Sequence, residues 1–152
     1  EIYRAIGLTG YKPSLPVQIA YSGLSDIMIP LPDVATLQTL SPNMEAIANI
    51  TKKYNAVSFH VFAFGNDKYT AFVRDFAPQY GIPEESATGT ANAALTYYLQ
   101  QNGIITASGD YSFAQGEAMG RPSVVATRIT ADGTIYVGGT AAIVAKGELN
   151  IN

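Results

Sequence analysis

Glu84-Glu85-Ser86-Ala87-Thr88-Gly89-Thr90-Ala91-Asn92-Ala93-Ala94-Leu95 is the stretch from which the rest of the chain is best read. An acidic pair runs into a short Ser/Thr/Gly segment, which opens directly into a helical pattern. The first turn of a helix presents backbone N–H groups without partners and carries a partial positive charge. A substrate carboxylate can be held there without a lysine or a metal. Carboxylates just before that spot can handle a proton where their surroundings raise a pKa. The helix is expected over residues 90–101, closed by Asn102-Gly103, and nothing charged lies between Thr90 and Gln101. A helix without a charged face is normally surrounded by protein.

Working outward, the chain after this helix reads as strand. Residues 111–115, 123–129, 134–137 and 140–146 are separated by glycine, proline and an Asp132-Gly133 hairpin turn. Upstream, a hairpin is expected from residues 17–21 and 25–29 around Ser22-Gly23. A helical piece follows at 34–40, then a helix over 43–54 with Ser41 as N-cap and Pro42 at its first position. Strands at 56–64 and 69–76 are joined by a turn at Gly65-Asn66-Asp67. A loop through Pro78 and Gly81-Ile82-Pro83 then leads to the acidic pair. The first seven residues read as the tail of a helix closed by Gly7, so the chain is expected to be cut from something longer. The expected fold is α+β: one domain over residues 1–152, with several antiparallel strands around one nearly uncharged helix and a smaller peripheral helix.

Composition narrows the functions. A length of 152 residues, 47% of them hydrophobic and 14% charged, suits one globular domain. The net charge of −3 gives no basic field for nucleic acid or an anionic membrane surface. With no cysteine, disulfides, thiolate zinc sites and cysteine catalysis are excluded; with one histidine, so is a histidine-rich metal site. No stretch reaches the roughly 18 apolar residues of a membrane span, and no signal peptide is visible. A cytoplasmic location is expected. The glycine spacing is not that of a nucleotide loop.

Four local patterns carry a resemblance to a known family. They are Arg74-Asp75-Phe76-Ala77-Pro78, the 84–91 segment, Gln115-Gly116 with Met119-Gly120-Arg121-Pro122-Ser123, and Val137-Gly138-Gly139. In this order and spacing they resemble the PhzF-like phenazine-biosynthesis family, relatives of diaminopimelate epimerase. The resemblance implies two similar lobes, each an antiparallel β-barrel or strongly curved sheet around a central helix, with the active site between them. It covers the second, C-terminal lobe only. The family's principal catalytic glutamate, and the histidine that assists it, belong to the first lobe and have no counterpart here.

The family pattern Glu-Asp-Pro-Ala-Thr-Gly-Ser-Ala is matched by Glu84, Ala87, Thr88, Gly89 and Ala91. Glu85 stands in place of aspartate, Ser86 of proline, and Thr90 of serine with its hydroxyl kept. In epimerases of the same superfold the position of Ser86 is usually a catalytic cysteine, which argues against a two-cysteine epimerase. The resemblance therefore implies a cofactor-independent isomerase that moves a proton on a small carboxylated substrate. Glu85 is its supporting catalytic residue here, and Ser86, Thr88, Gly89 and Thr90 are its substrate-binding residues. No metal is implied, and the lobe alone is expected to be inactive. The partners expected are the small carboxylated molecule and either the missing first lobe or a second copy of the chain.

The blander readings stand beside these. Glu84 and Glu85 belong to a solvated loop or line the substrate cleft, the latter favoured by the resemblance. Thr88, Gly89 and Thr90 cap the helix, which uses the same N–H groups as anion binding. Arg121 contacts substrate, the other lobe, or an acid within this lobe. His60 is a strand residue rather than a ligand. A second functional reading is a non-catalytic anion-binding or interaction module.

Overall fold

Helices and strands succeed one another as α1 (Ile2–Ala5), β1 (Gln18–Tyr21), β2 (Ser25–Pro30), α2 (Val34–Gln38), α3 (Met44–Lys53), β3 (Ser58–Ala63), β4 (Ala71–Ala77), β5 (Ile82–Glu85), α4 (Gly89–Gln101), β6 (Gly109–Gln115), β7 (Ser123–Ile129) and β8 (Ile135–Gly138). They are seen in a computed structural model that describes residues 1–65 and 68–150. Asn66 and Asp67 of the expected turn lie outside the described residues.

The strands form one sheet in the order β1-β2-β3-β4-β6-β7-β8, with β5 paired to β4 beside this path. Most neighbours are antiparallel, but β2–β3 and β4–β6 are parallel. Each parallel pair is joined by a helical crossover, α2 and α3 in the first case and α4 in the second. Both sheet edges, β1 and β8, contact α4, as do β2, β3 and β7. The sheet therefore curls around the helix as a half-barrel, the α+β architecture that the uncharged helix requires.

Alternation along the strands divides the core in two. Ile27, Ile29, Phe59, Val61, Phe72 and Phe76 face outward onto Ile6, Leu37 and Ile47 of the helical layer. Met28, Phe62, Val73 and Phe113 face inward onto Ala94, Leu95, Tyr98 and Leu99 of α4. Alanines on α4 let the sheet approach closely, and Ala91, Asn92, Ala94, Leu95, Thr96 and Leu99 are fully buried. Tyr98 reaches through the core to donate to the Pro16 carbonyl at 2.7 Å, and burial pushes its hydroxyl pKa up to about 12.

Helix ends follow local chemistry. Gly7 (φ +85°) closes α1 with the paired bonds Gly7 N–H to Arg4 O and Leu8 N–H to Tyr3 O. Gly103 (φ +70°) closes α4 in the same way, through Leu99 and Gln100 carbonyls. The N-cap of α3 is Asn43 rather than Ser41, because the Asn43 side chain accepts from Ala46 N–H at 2.9 Å. Residues 82–85, expected as loop, form β5 against β4.

The strand expected at 140–146 does not form among the described residues. Ile143, Val144 and Leu149 are 79%, 95% and 88% exposed in a segment without secondary structure. Strand chemistry needs a hydrogen-bonding neighbour, and β8, which ends at Gly138, is paired with β7 alone.

Since Leu95 is fully enclosed, Leu95→Ala is expected to lower stability by about 2–5 kcal/mol with the fold retained. Urea unfolding followed by circular dichroism checks this, and a change under about 1 kcal/mol would show that the helix is not held as described.

Candidate functional site

The acidic pair is split by the strand it sits on. In β5 successive side chains point to opposite faces, so Glu84 and Glu85 separate. Glu84 faces the outer layer, where the Arg74 guanidinium takes it in a two-pronged pair, Nε to Oε1 at 2.8 Å and Nη2 to Oε2 at 2.9 Å. Arg74 Nη1 also donates to the Leu37 carbonyl in the last turn of α2 and to the Leu40 carbonyl just beyond it, and its plane lies over Phe76, 5.0 Å from the ring centre. Glu84 thus joins β4, β5 and α2, which corrects its expected place in the cleft. Glu85 faces the inner side, paired across the ladder with Asp75.

Glu85 leads into the N-terminal end of α4 through one hub that the sequence reading did not assign. Gln115, fully buried at the end of β6, accepts from Thr88 N–H at 3.1 Å and from Asn92 Nδ2 at 2.9 Å. Its own amide donates to the Glu85 carbonyl at 2.8 Å and to Thr88 Oγ1 at 2.9 Å. One carboxamide therefore holds the loop, the cap residue and the first turn together. Gln115 lay within a recognised motif, yet a glutamine in a strand carries no signal of such a role until its neighbours are known.

Ser86 is held from behind. Ser123 Oγ donates to the Ser86 carbonyl, and Gly116 lies so close that a Cβ there would stand 2.2 Å from the Arg121 carbonyl and 2.9 Å from that of Ser86. Gly116 also has φ +83°, so both its backbone and its space exclude a side chain. Arg121 is exposed, and its N–H closes this turn onto the Gly116 carbonyl at 3.0 Å.

Thr88 occupies the N-cap of α4 with extended backbone, but its hydroxyl makes no capping bond. It donates instead to Glu85 Oε2 at 3.0 Å. The N–H groups of Gly89 and Thr90 are therefore not taken up by the cap side chain, and the helix end keeps its positive pole. The Thr90 carbonyl accepts from Ser22 Oγ at 2.7 Å, which fixes the β1–β2 turn to the first helical turn. Gly89 and Thr90 open into a groove of about 590 Å³, walled by Tyr21, Tyr97, Ile135 and Val137. Glu85, Ser86 and Thr88 are half-buried behind the helix end and do not line this groove. His60 is a fully buried strand residue, as expected, bonded through Nδ1 to Asp75 Oδ1 at 2.8 Å.

The chain as a whole is similar to known proteins. A family model described as phenazine biosynthesis-like protein (PhzC-PhzF) matches residues 1–147. The chain belongs to the PhzC-PhzF family. It is 33% identical over 157 residues to an uncharacterized isomerase of Deinococcus radiodurans, covering 97% of this chain and 50% of that protein. It is 28% identical over 128 residues to trans-2,3-dihydro-3-hydroxyanthranilate isomerase of Pseudomonas chlororaphis, covering 84% and 43%. Among solved structures, a predicted epimerase from Pseudomonas aeruginosa has the same fold, with a TM-score of 0.76 at 23% identity, covering 99% of this chain and 51% of that one. The PhzF-family protein of Bacillus anthracis gives 0.74 at 19% identity, covering 90% and 49%. The chain spans about half the length of the relatives it matches. Among the described residues no helix is long and apolar enough to cross a membrane, and no acidic, histidine or cysteine cluster is arranged to hold a metal.

The two glutamates should respond differently to substitution. Glu84→Ala leaves the Arg74 guanidinium nearly enclosed without its partner and is expected to cost about 3 kcal/mol. Glu85→Gln keeps an acceptor for Thr88 and should stay within about 1 kcal/mol of the parent. Equal losses in chemical unfolding would contradict the division of labour.

Proposed function

We propose that this chain is the C-terminal lobe of a PhzF-like, cofactor-independent isomerase that transfers a proton on a small carboxylated substrate. On this reading Gly89 and Thr90 present backbone N–H groups to the substrate carboxylate, and Ser86 and Thr88 complete the binding loop. A glutamate from the other lobe takes the proton from carbon and returns it elsewhere on the substrate. Glu85, tied to Thr88, is the polar partner on this side. Carboxylates alone can carry such a transfer, so no metal or cofactor is assigned to it.

The observation that carries the reading is the state of Thr88. A threonine at an N-cap ordinarily spends its oxygen on the helix N–H groups. Here that hydroxyl is engaged by Glu85 and Gln115, leaving the helix end for an anion. The relatives named as isomerases support the reaction class.

A base must lie within hydrogen-bond reach of the proton it removes, so the 152-residue chain alone should not turn over trans-2,3-dihydro-3-hydroxyanthranilate. Turnover by this chain that Glu85→Ala abolishes would defeat the two-lobe assignment. Titration with anthranilate, followed by amide NMR, should move the Gly89 and Thr90 signals first. Unmoved signals at those two residues would remove the carboxylate-binding role.

The exposed segment 140–149 favours a second reading, an interaction module that pairs with a first lobe or a second copy of itself. Sedimentation distinguishes the two partners: a monomer at high concentration excludes self-pairing.

A further inference from the structure

One buried polar cluster lies behind the proposed site and meets it through the Asp75–Glu85 ladder pair. Asp26 on β2, Ser58 and His60 on β3 and Asp75 on β4 all lie on the inner face of the sheet, each no more than 2% exposed. Ser58 Oγ stands 2.8 Å from Asp26 Oδ1 and 2.7 Å from Asp75 Oδ1, and His60 Nδ1 lies 2.8 Å from the same Asp75 oxygen. Asp26 Oδ2 and His60 Nε2 have no hydrogen-bond partner.

Counting protons decides the state of this chain. A serine hydroxyl has one hydrogen to give, yet it stands at bonding distance from two carboxyl oxygens. Were both carboxyls ionised, one of the two contacts would be oxygen against oxygen with no hydrogen between them. A buried charge so placed is costly. The conflict disappears when one carboxyl carries a proton and donates it to Ser58, which donates onward to the other. Asp75 Oδ1 has both the Ser58 hydroxyl and the His60 imidazole beside it, whereas Asp26 has Ser58 alone. Asp26 has Ala20 across from it on β1 and Ser58 on β3. The facing helix α4 and strand β1 bring no charged side chain to Asp26, and the His60 imidazole is bonded to Asp75.

We infer that Asp26, Ser58, Asp75 and His60 share one extra proton, that Asp26 is the neutral carboxylic acid of the set, and that the chain positions the Asp75–Glu85 pair of β4 and β5. Burial pushes the Asp26 carboxyl above the ordinary range and Asp75 adds to the rise, while the Ser58 hydrogen bonds and the neighbouring His60 pull it part of the way back. The exposed Asp33, Asp110 and Asp132 are held below that range by their hydrogen bonds. The positioning role alone rests on the function proposed for Glu85; the shared proton does not.

The sign of the pH effect follows from linkage. With its folded pKa above the unfolded one, Asp26 binds more proton in the native state, so stability is complete below the ordinary carboxylate pKa. Stability is then lost as pH rises towards the raised value. Asp26→Asn keeps the shape and supplies an N–H to Ser58 at every pH, and should abolish that part of the decline.

The test is a pH titration of the parent chain with 13C-labelled aspartate carboxyls. The Asp26 signal should keep its proton through the range in which Asp33, Asp110 and Asp132 have all lost theirs. The Glu85 and Thr88 amides should shift with the Asp26 midpoint, and should stay still in Asp26→Asn. Titration of Asp26 together with the exposed aspartates would overturn the shared proton. A raised Asp26 midpoint with unmoved Glu85 and Thr88 amides would overturn the positioning role. Because the carboxyl measurement uses the parent chain, failure of the variant to fold leaves it intact. Failure of anthranilate to bind at Gly89 and Thr90 would be a separate result, bearing only on the proposed function.

Discussion

An α-helix with no charge on any side has to be enclosed, and the architecture follows from meeting that requirement. Water is a poor neighbour for residues 91–99, so the sheet bends until β1 and β8, its two edges, both touch α4. Small residues make the enclosure tight, since alanines at 91, 93 and 94 let strands pass close to the helix. Enclosure has a second effect at the helix end. Backbone N–H groups at the N-terminus cannot be satisfied within the helix, and the surrounding protein leaves them few alternatives. Gln115 answers part of the demand by accepting from the Thr88 N–H, and the same oxygen takes the Asn92 side-chain amide. What remains at Gly89 and Thr90 is a positive pole set beside a groove.

The same economy appears in the two glutamates. They differ by one residue and hence by one face of a strand, and their chemistry diverges completely. Glu84 is consumed by Arg74, which also closes the Leu37 carbonyl in the last turn of α2, so it belongs to the scaffold. The Glu85 carboxylate accepts from the hydroxyl of Thr88, a neutral partner, while its backbone carbonyl accepts from the Gln115 amide. An arginine on the inner face of β4 would reverse these roles. The alternation of β4, with Arg74 outward and Asp75 inward, is therefore as important to the site as the glutamates themselves.

Much of this was legible before any coordinates. The uncharged run at 90–101, the Ser22-Gly23 and Asp132-Gly133 turns and the glycines at 7 and 103 carry local signals, and the elements that they bound stand within a residue or two of their expected places. Contacts between distant segments were not legible. Ser41-Pro42 is as good a helix start as Asn43 by local rules, and only the position of the Ala46 N–H decides between them. Strand β5 has proline and two glutamates in four residues, a weak strand signal, and pairs because β4 offers it an edge. The parallel pairs β2–β3 and β4–β6 depend on where crossovers return the chain, which period-2 patterns do not encode. Glu85, Thr88 and Gly89 were expected from the motif, and the structure sets them side by side at the start of α4. The hub at Gln115 was hidden because a single buried glutamine has no periodicity.

Residues 140–146 press this point furthest. Their composition is that of a strand, and the structure leaves them unpaired with Ile143 and Val144 in solvent. Propensity for a strand is a preference for a pleated, half-buried surface against a neighbour, so it cannot be expressed by a segment that has none. A helix could have formed there from its own hydrogen bonds; a strand could not. The apolar cost of exposing these side chains is about 1.5–3 kcal/mol for each large one relative to burial, a sum that a small domain does not bear without return. On the two-lobe reading the return lies in the half-length by which the relatives exceed this chain. The unpaired segment and the N-terminal end of α4 are alike in one respect: a strand needs a neighbour and the first N–H groups of a helix need acceptors, and neither can be supplied from within the element.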